Sequence, residues 1–177
     1  MAEFTLRPGG LKCHKVADEA QKTVIEPPRG AYSAHVDDKG RLKLPVNFKD
    51  FLESLEDKRL FVTTTDKRIV KLYPISLWKE NEKKLAELAL EKPALAKSMS
   101  ITARHYGEDA QIDSGGRVMI PTNLRRLVGI EGQEIWMDAA PEGCVQVYSK
   151  PEYEAQLRKA EAVLEEANLA AAQKGFV

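Results

Sequence analysis

The sequence predicts an α+β fold built from two tandem copies of one β-hairpin unit, with helices after each. Three observations carry this. The phrase "VDDKGRLKLP", Val36 to Pro45, returns as "IDSGGRVMIP", Ile112 to Pro121, with Asp, Gly, Arg and Pro kept and the turn between them changed. On the strand that follows, Leu42 and Leu44 alternate with Arg41 and Lys43, and Val118 and Ile120 with Arg117 and Met119; this is the period of a half-buried strand. The likeness also runs on, since "LPVNFKDFL" meets "IPTNLRRLV" and "RLFVTTTDKRIVKLYPISLWKE" meets "EIWMDAAPEGCVQVYSKPEYEA". A chance match of one short phrase would not extend this way.

Residues 1–29 fit neither copy, hold "PGG" and "PP" breakers, and read as a flexible N-terminal extension without a secretory leader. The first unit spans 30–80 and the second 106–155, a tyrosine opening each in "YSAHVD" and "YGEDAQID". Asp37 and Arg41 bracket a tight turn, as do Asp113 and Arg117, with glycine last, where a hairpin of this length wants positive φ. Pro45 and Pro121 then open a short helix at its first position. Phe48, Phe51, Leu52 and Leu55 form its apolar face in the first copy, and Leu124, Leu127 and Val128 in the second, which Gly129 and Gly132 stop. A strand, a polar turn and a second strand follow, ending at Tyr73 or Tyr148. An aromatic, Trp78 or Tyr153, marks each next helix start. Residues 81–105 read as a linker helix, with Ile75, Trp78, Leu85 and Leu88 near helical spacing and Pro93 stopping the run. Residues 156–177 complete a C-terminal helix and tail rich in Ala, Glu, Leu and Lys, without internal Pro.

Composition narrows the function. A chain of 177 residues, 43% hydrophobic, suits one medium domain or two small ones. Lys+Arg and Asp+Glu both count 27, so a nucleic-acid surface must be a local patch rather than a bulk positive charge. No run of about 18 apolar residues exists to span a membrane. Cys13 and Cys144 make no disulfide framework, which points to a reducing compartment. With His14, His35 and His105 they lack metal-ligand spacing, and no nucleophile elbow, phosphate-cradling loop or dinucleotide fingerprint occurs. The expectation is a cytoplasmic non-enzyme with no cofactor, metal or small-molecule substrate.

The Asp-to-Arg spacing has two readings. The first is a cross-strand ion pair that staples a turn. The second is an Asp that fixes the fork of an Arg aimed at a partner, because the guanidinium presents paired donors suited to phosphate or a guanine edge. Altered turns around a retained Asp and Arg favour the second. Lys39, Lys43 and Lys49 gather with Arg41 around the first hairpin, and Arg125 and Arg126 with Arg117 around the second. Acidic residues collect elsewhere, as from Glu161 to Glu166, so the hairpins form a basic patch on a neutral chain.

"RGAYSAHVDDKGRLKLPVNF", "KLYPISLWKE" and "QIDSGGRVMIPTNLRRLVGI" together resemble the MraZ family of bacterial transcriptional regulators of the division and cell-wall gene cluster, over residues 29–155. The resemblance implies two tandem AbrB-like swapped-hairpin units forming an intramolecular pseudo-dimer. It further implies a ring-like homo-oligomer, nucleoid-associated in the cytoplasm, whose D-x-x-x-R hairpins contact double-stranded promoter DNA as a repressor. Carried over position by position, it assigns Asp37, Arg41, Asp113 and Arg117. Lys43 joins as a strand neighbour on the face of Arg41, and Lys39 and Arg125 through the basic patch. Two departures stand out. Residues 1–28 are extra, and Met119 replaces Lys43, so the half-sites are expected to contact DNA unequally. The alternatives are a ring-forming scaffold for an acidic protein partner and an AbrB-type antitoxin regulator.

Overall fold

A computed structural model describes residues 25–176. The expectations placed on residues 1–24, Cys13 and His14 among them, lie outside the described residues. The first repeat runs β1 (Tyr32–Val36), β2 (Arg41–Lys43), α1 (Val46–Ser54), β3 (Leu60–Thr63) and β4 (Val70–Pro74). Helices α2 (Ile75–Glu91) and α3 (Pro93–Tyr106) follow. The second repeat runs β5 (Glu108–Ala110), β6 (Arg117–Met119), α4 (Thr122–Val128), β7 (Glu134–Ala139) and β8 (Val145–Ser149), then α5 (Lys150–Glu161) and α6 (Leu164–Ala172).

All strands join one antiparallel sheet in the order β5-β3-β4-β8-β7-β1-β2-β6. The β1–β2 hairpin is flanked by β7 and β6, and the β3–β4 hairpin by β5 and β8. Each hairpin of one repeat therefore lies between strands of the other, which is the swapped arrangement. The registers reveal a pseudo-two-fold axis. Leu42 faces its own counterpart Val118 on β2 and β6, with Arg41 opposite Met119 and Lys43 opposite Arg117. On the far side Lys71 faces its counterpart Gln146. The symmetry is incomplete, because β1 pairs with β2 through His35 and Val36 while β5 ends at Ala110 and makes no ladder with β6.

Alternation explains the core. Val36, Leu42, Leu44, Phe48 and Leu52 of the first repeat pack with Val118, Ile120, Leu124, Ile130 and Ile135 of the second in one buried cluster. Burying this surface contributes roughly 25 cal/mol per Å² of apolar area, and neither repeat could enclose it alone. A second cluster joins Tyr73, Trp78, Ala103 and Cys144 under α2 and α3.

Several local details differ from the expectations. Pro45 and Pro121 sit at the N-cap, one residue before the helix, and the Pro45 carbonyl accepts from Phe48 and Lys49 at 3.1 and 3.0 Å. Proline's fixed φ suits either place. The stretch given as one linker helix is a helical hairpin, because Pro93 both ends α2 and opens α3 at its first turn. The C-terminal helix divides at Ala162–Val163, and neither α5 nor α6 has a buried residue. The two opening tyrosines are not equivalent. Ala34 against Ile135 matches Ala110 against Leu60, so Tyr32 corresponds to Glu108 and Tyr106 belongs to α3. Residues 25–29, at the end of the N-terminal extension, carry no helix or strand, and the Ile25 N–H donates to Ser54 Oγ at 3.2 Å.

Candidate nucleic-acid interface

Each D-x-x-x-R turn is closed by its own aspartate. Asp37 Oδ1 accepts from the Lys39 and Arg41 N–H groups at 3.0 and 2.9 Å, and Oδ2 accepts from Arg41 Nε at 2.7 Å. Asp113 repeats this with Gly115 and Arg117 N–H at 2.8 and 3.0 Å and Arg117 Nε at 2.9 Å. Gly40 and Gly116 carry φ of 84° and 70°, the left-handed conformation that the turn demands. Because the aspartate engages Nε, both Nη groups of Arg41 and of Arg117 have no hydrogen-bond partner among the described residues. The result is an oriented, unsatisfied pair of donors on each hairpin. The Arg41 N–H beneath Asp37 holds its carboxyl below the usual aspartate range, and the guanidinium adds to this against desolvation. At Asp113 desolvation is the largest influence and opposes the shift. The Arg117 and Gly115 N–H groups and the Arg117 side chain together outweigh it, so this carboxyl too is lowered. Both aspartates therefore keep the ionised form to lower pH than a free aspartate does.

The two turns lie at opposite ends of the β2–β6 pair. Gly40 accepts from Ile120 N–H at 2.9 Å, and Gly116 from Leu44 N–H at 3.1 Å. With Leu42 and Val118 pointing inward, Arg41, Lys43, Arg117 and Met119 share the outer face. Arg41 and Arg117 are two register positions apart, about 7 Å along strands spaced about 5 Å. That lies within the roughly 12 Å width of a B-DNA major groove, which admits a two-stranded β-ribbon.

The basic residues do not gather as the sequence grouped them. Antiparallel pairing carries the end of each strand to the other repeat's turn. Lys43 Nζ donates to the Gly115 carbonyl, and Lys49 lies under Gly116, both at the second turn. Arg125 lies under Gly40 at the first turn, only 12% exposed, and is ion-paired to Glu131 at 2.9 Å. Lys39 is exposed beside Asp37. Sequence reasoning missed His35 as a member of this face. It stands opposite Lys43 on one side and Glu134 on the other, and the strand's period of two was the signal that would have found it.

Two repeats that exchange hairpins around one axis, each presenting an aspartate-held arginine, define a tandem AbrB-like swapped-hairpin protein. Comparison with known proteins agrees. A family model described as "MraZ protein, putative antitoxin-like" matches residues 29–98 and 108–174, and the chain belongs to the MraZ family. It is 34% identical over 107 residues to the "Transcriptional regulator MraZ" of Acidobacterium capsulatum, covering 60% of this chain and 73% of that one. The protein of the same name from Koribacter versatilis is 36% identical over 106 residues, 59% of this chain and 71% of that one. That of Neisseria meningitidis serogroup A is 28% identical over 132 residues, 74% and 85% respectively.

Proposed function

We propose that this protein is a sequence-specific DNA-binding transcriptional regulator, a repressor acting on promoter DNA of the division and cell-wall gene cluster. The observation that carries the reading is the pair of aspartate-held arginines on one outward strand face, whose Nη groups have no hydrogen-bond partner among the described residues. Such a fork suits the O6 and N7 edge of guanine. Lys43 and Lys39 supply phosphate contacts beside it, and Arg125 supports the turn. The names of the relatives support transcriptional regulation as the class. Residency in the cytoplasm at the nucleoid follows from that role.

One chain offers few contacts and no net charge, so high affinity calls for linked copies on repeated sites. A ring-like homo-oligomer supplies them. The outward apolar residues of α5 and α6, with Leu157 at 46% and Leu169 at 65% exposure, support self-association. Fluorescence anisotropy tests the reading, with the duplex upstream of the protein's own gene against a shuffled duplex. Preference for the upstream duplex is expected. Equal or absent binding to both leaves the acidic-partner scaffold and the antitoxin-type regulator as the readings to pursue.

A further inference from the structure

Each recognition turn rests on a side chain of the other repeat, and the two supports are unequal. Arg125, on α4, runs beneath the first turn. Its Nη1 donates to the Ile120 carbonyl at 3.0 Å and its Nε to Glu131 Oε1 at 2.9 Å. The Ile120 N–H in turn donates to the Gly40 carbonyl at 2.9 Å, so the guanidinium is tied to the turn through the backbone of one residue, Ile120. A Cβ placed on Gly40 would lie 2.5 Å from Nη1 and 2.7 Å from Cζ, so the guanidinium fills the space below the turn. The counterpart under the second turn is Lys49, where a Cβ on Gly116 would meet nothing closer than Cδ at 3.2 Å, with Lys43 Nζ at 3.5 Å beside it. A planar fork with two acceptors, one of them backbone, holds a turn more firmly than an ammonium on a flexible stem.

We propose that Arg125 is a positioning residue that fixes the first recognition turn from within the second repeat, so that base discrimination by Arg41 depends on the repeat that carries Arg117. The inference rests on the hairpins being the DNA-contacting elements. It assigns Arg125 a support role inside the fold and no contact with phosphate.

The test measures affinities of the full chain for the duplex upstream of its gene and for a panel replacing each base pair in turn. Arg41→Ala and Arg117→Ala define which base pairs each arginine reads. Arg125→Lys keeps the charge and loses the fork. It is expected to flatten discrimination at the Arg41 base pairs by about tenfold, within the range of a bidentate base contact, with the Arg117 base pairs and the salt slope unchanged. Arg125→Met is expected to give the same pattern. A phosphate contact behaves otherwise: Arg125→Lys stays near wild type while Arg125→Met weakens every duplex alike and lowers the salt slope, and that result overturns the proposal. Flattening at the Arg117 base pairs alone overturns it too. If Arg41→Ala leaves the panel unchanged, the hairpin reading falls and this inference with it. If Arg41→Ala flattens its set and the Arg125 variants flatten nothing, the positioning role alone falls. Should a melting curve show Arg125→Met unfolded, Arg125→Lys and Glu131→Gln decide. The latter loosens one anchor of the fork and is expected to give a smaller loss at the same base pairs.

Discussion

The Asp37–Arg41 and Asp113–Arg117 hairpins share their internal bonds almost atom for atom, yet differ in what lies beneath and beside them. The first has a strand ladder from β1 to β2 and a half-buried guanidinium under its glycine. The second lacks a strand ladder behind it and is held by its turn bonds, by Leu44 N–H to the Gly116 carbonyl at 3.1 Å and by Lys43 Nζ to the Gly115 carbonyl, over a flexible lysine stem. The outer residue across from Arg41 is Met119, and the one across from Arg117 is Lys43. The two repeats have therefore kept the aspartate-held arginine and let its support diverge. A rigid turn favours discrimination, since its arginine is already held in the contacting geometry, and a looser one favours accommodation.

The comparison breaks most completely at the axis both hairpins share. Leu42 is fully buried where β2 meets β6, so Leu42→Ala should cost about 2–5 kcal/mol in chemical denaturation and loosen both turns together. Loss confined to one hairpin's amide protection would show the two to be independent. Next come the glycines. Gly40→Ala forces a side chain into positive φ and onto the Arg125 guanidinium. Gly116→Ala meets a similar φ with the Lys49 stem and the Lys43 ammonium nearby, neither closer than 3.2 Å. We expect about 1–2 kcal/mol for Gly116→Ala and clearly more for Gly40→Ala, read from denaturation midpoints. Equal costs would remove the claim that the turns are unequally supported.

Smaller effects sharpen the contrast. Met119→Lys gives the second strand the cation that the first already has. It should tighten binding to every duplex and steepen the salt slope by about one, without changing sequence preference. The aspartates give the smallest signal. Their carboxyls are lowered on folding, so the stability they contribute is present above the unfolded aspartate pKa and lost as pH falls through the folded one. Carboxyl NMR titration should place both midpoints below about 3.9, the ordinary aspartate value, and Asp37→Asn should trim the acid limb of stability. A midpoint at or above that value for Asp37 would show that its turn bonds do not persist in solution.

Much of this was legible in the sequence because it is local. The Asp-to-Arg turn, the positive φ of its glycine and the inward Leu42 and Val118 all follow from neighbours a few positions away. Pairing partners do not. Nothing near Arg125 indicates that it reaches Gly40, because that contact exists only once β2 and β6 lie antiparallel and bring Ile120 against the first turn. The grouping of Lys49 with the first hairpin failed for the same reason. The break between α5 and α6 carries no Gly or Pro to mark it, and helix propensity alone reads straight through it.

Whether the aspartate-held arginines read DNA sequence is decided by anisotropy isotherms of wild type, Arg41→Ala and Arg117→Ala on the upstream and shuffled duplexes, each beside a melting curve. Both variants should melt near wild type, and each should narrow the gap between the two duplexes by about 1–3 kcal/mol, with affinity for the shuffled duplex much less affected. Variants that keep the full gap, or that lose binding only by unfolding, would show that the hairpins are staples and that the DNA surface lies elsewhere.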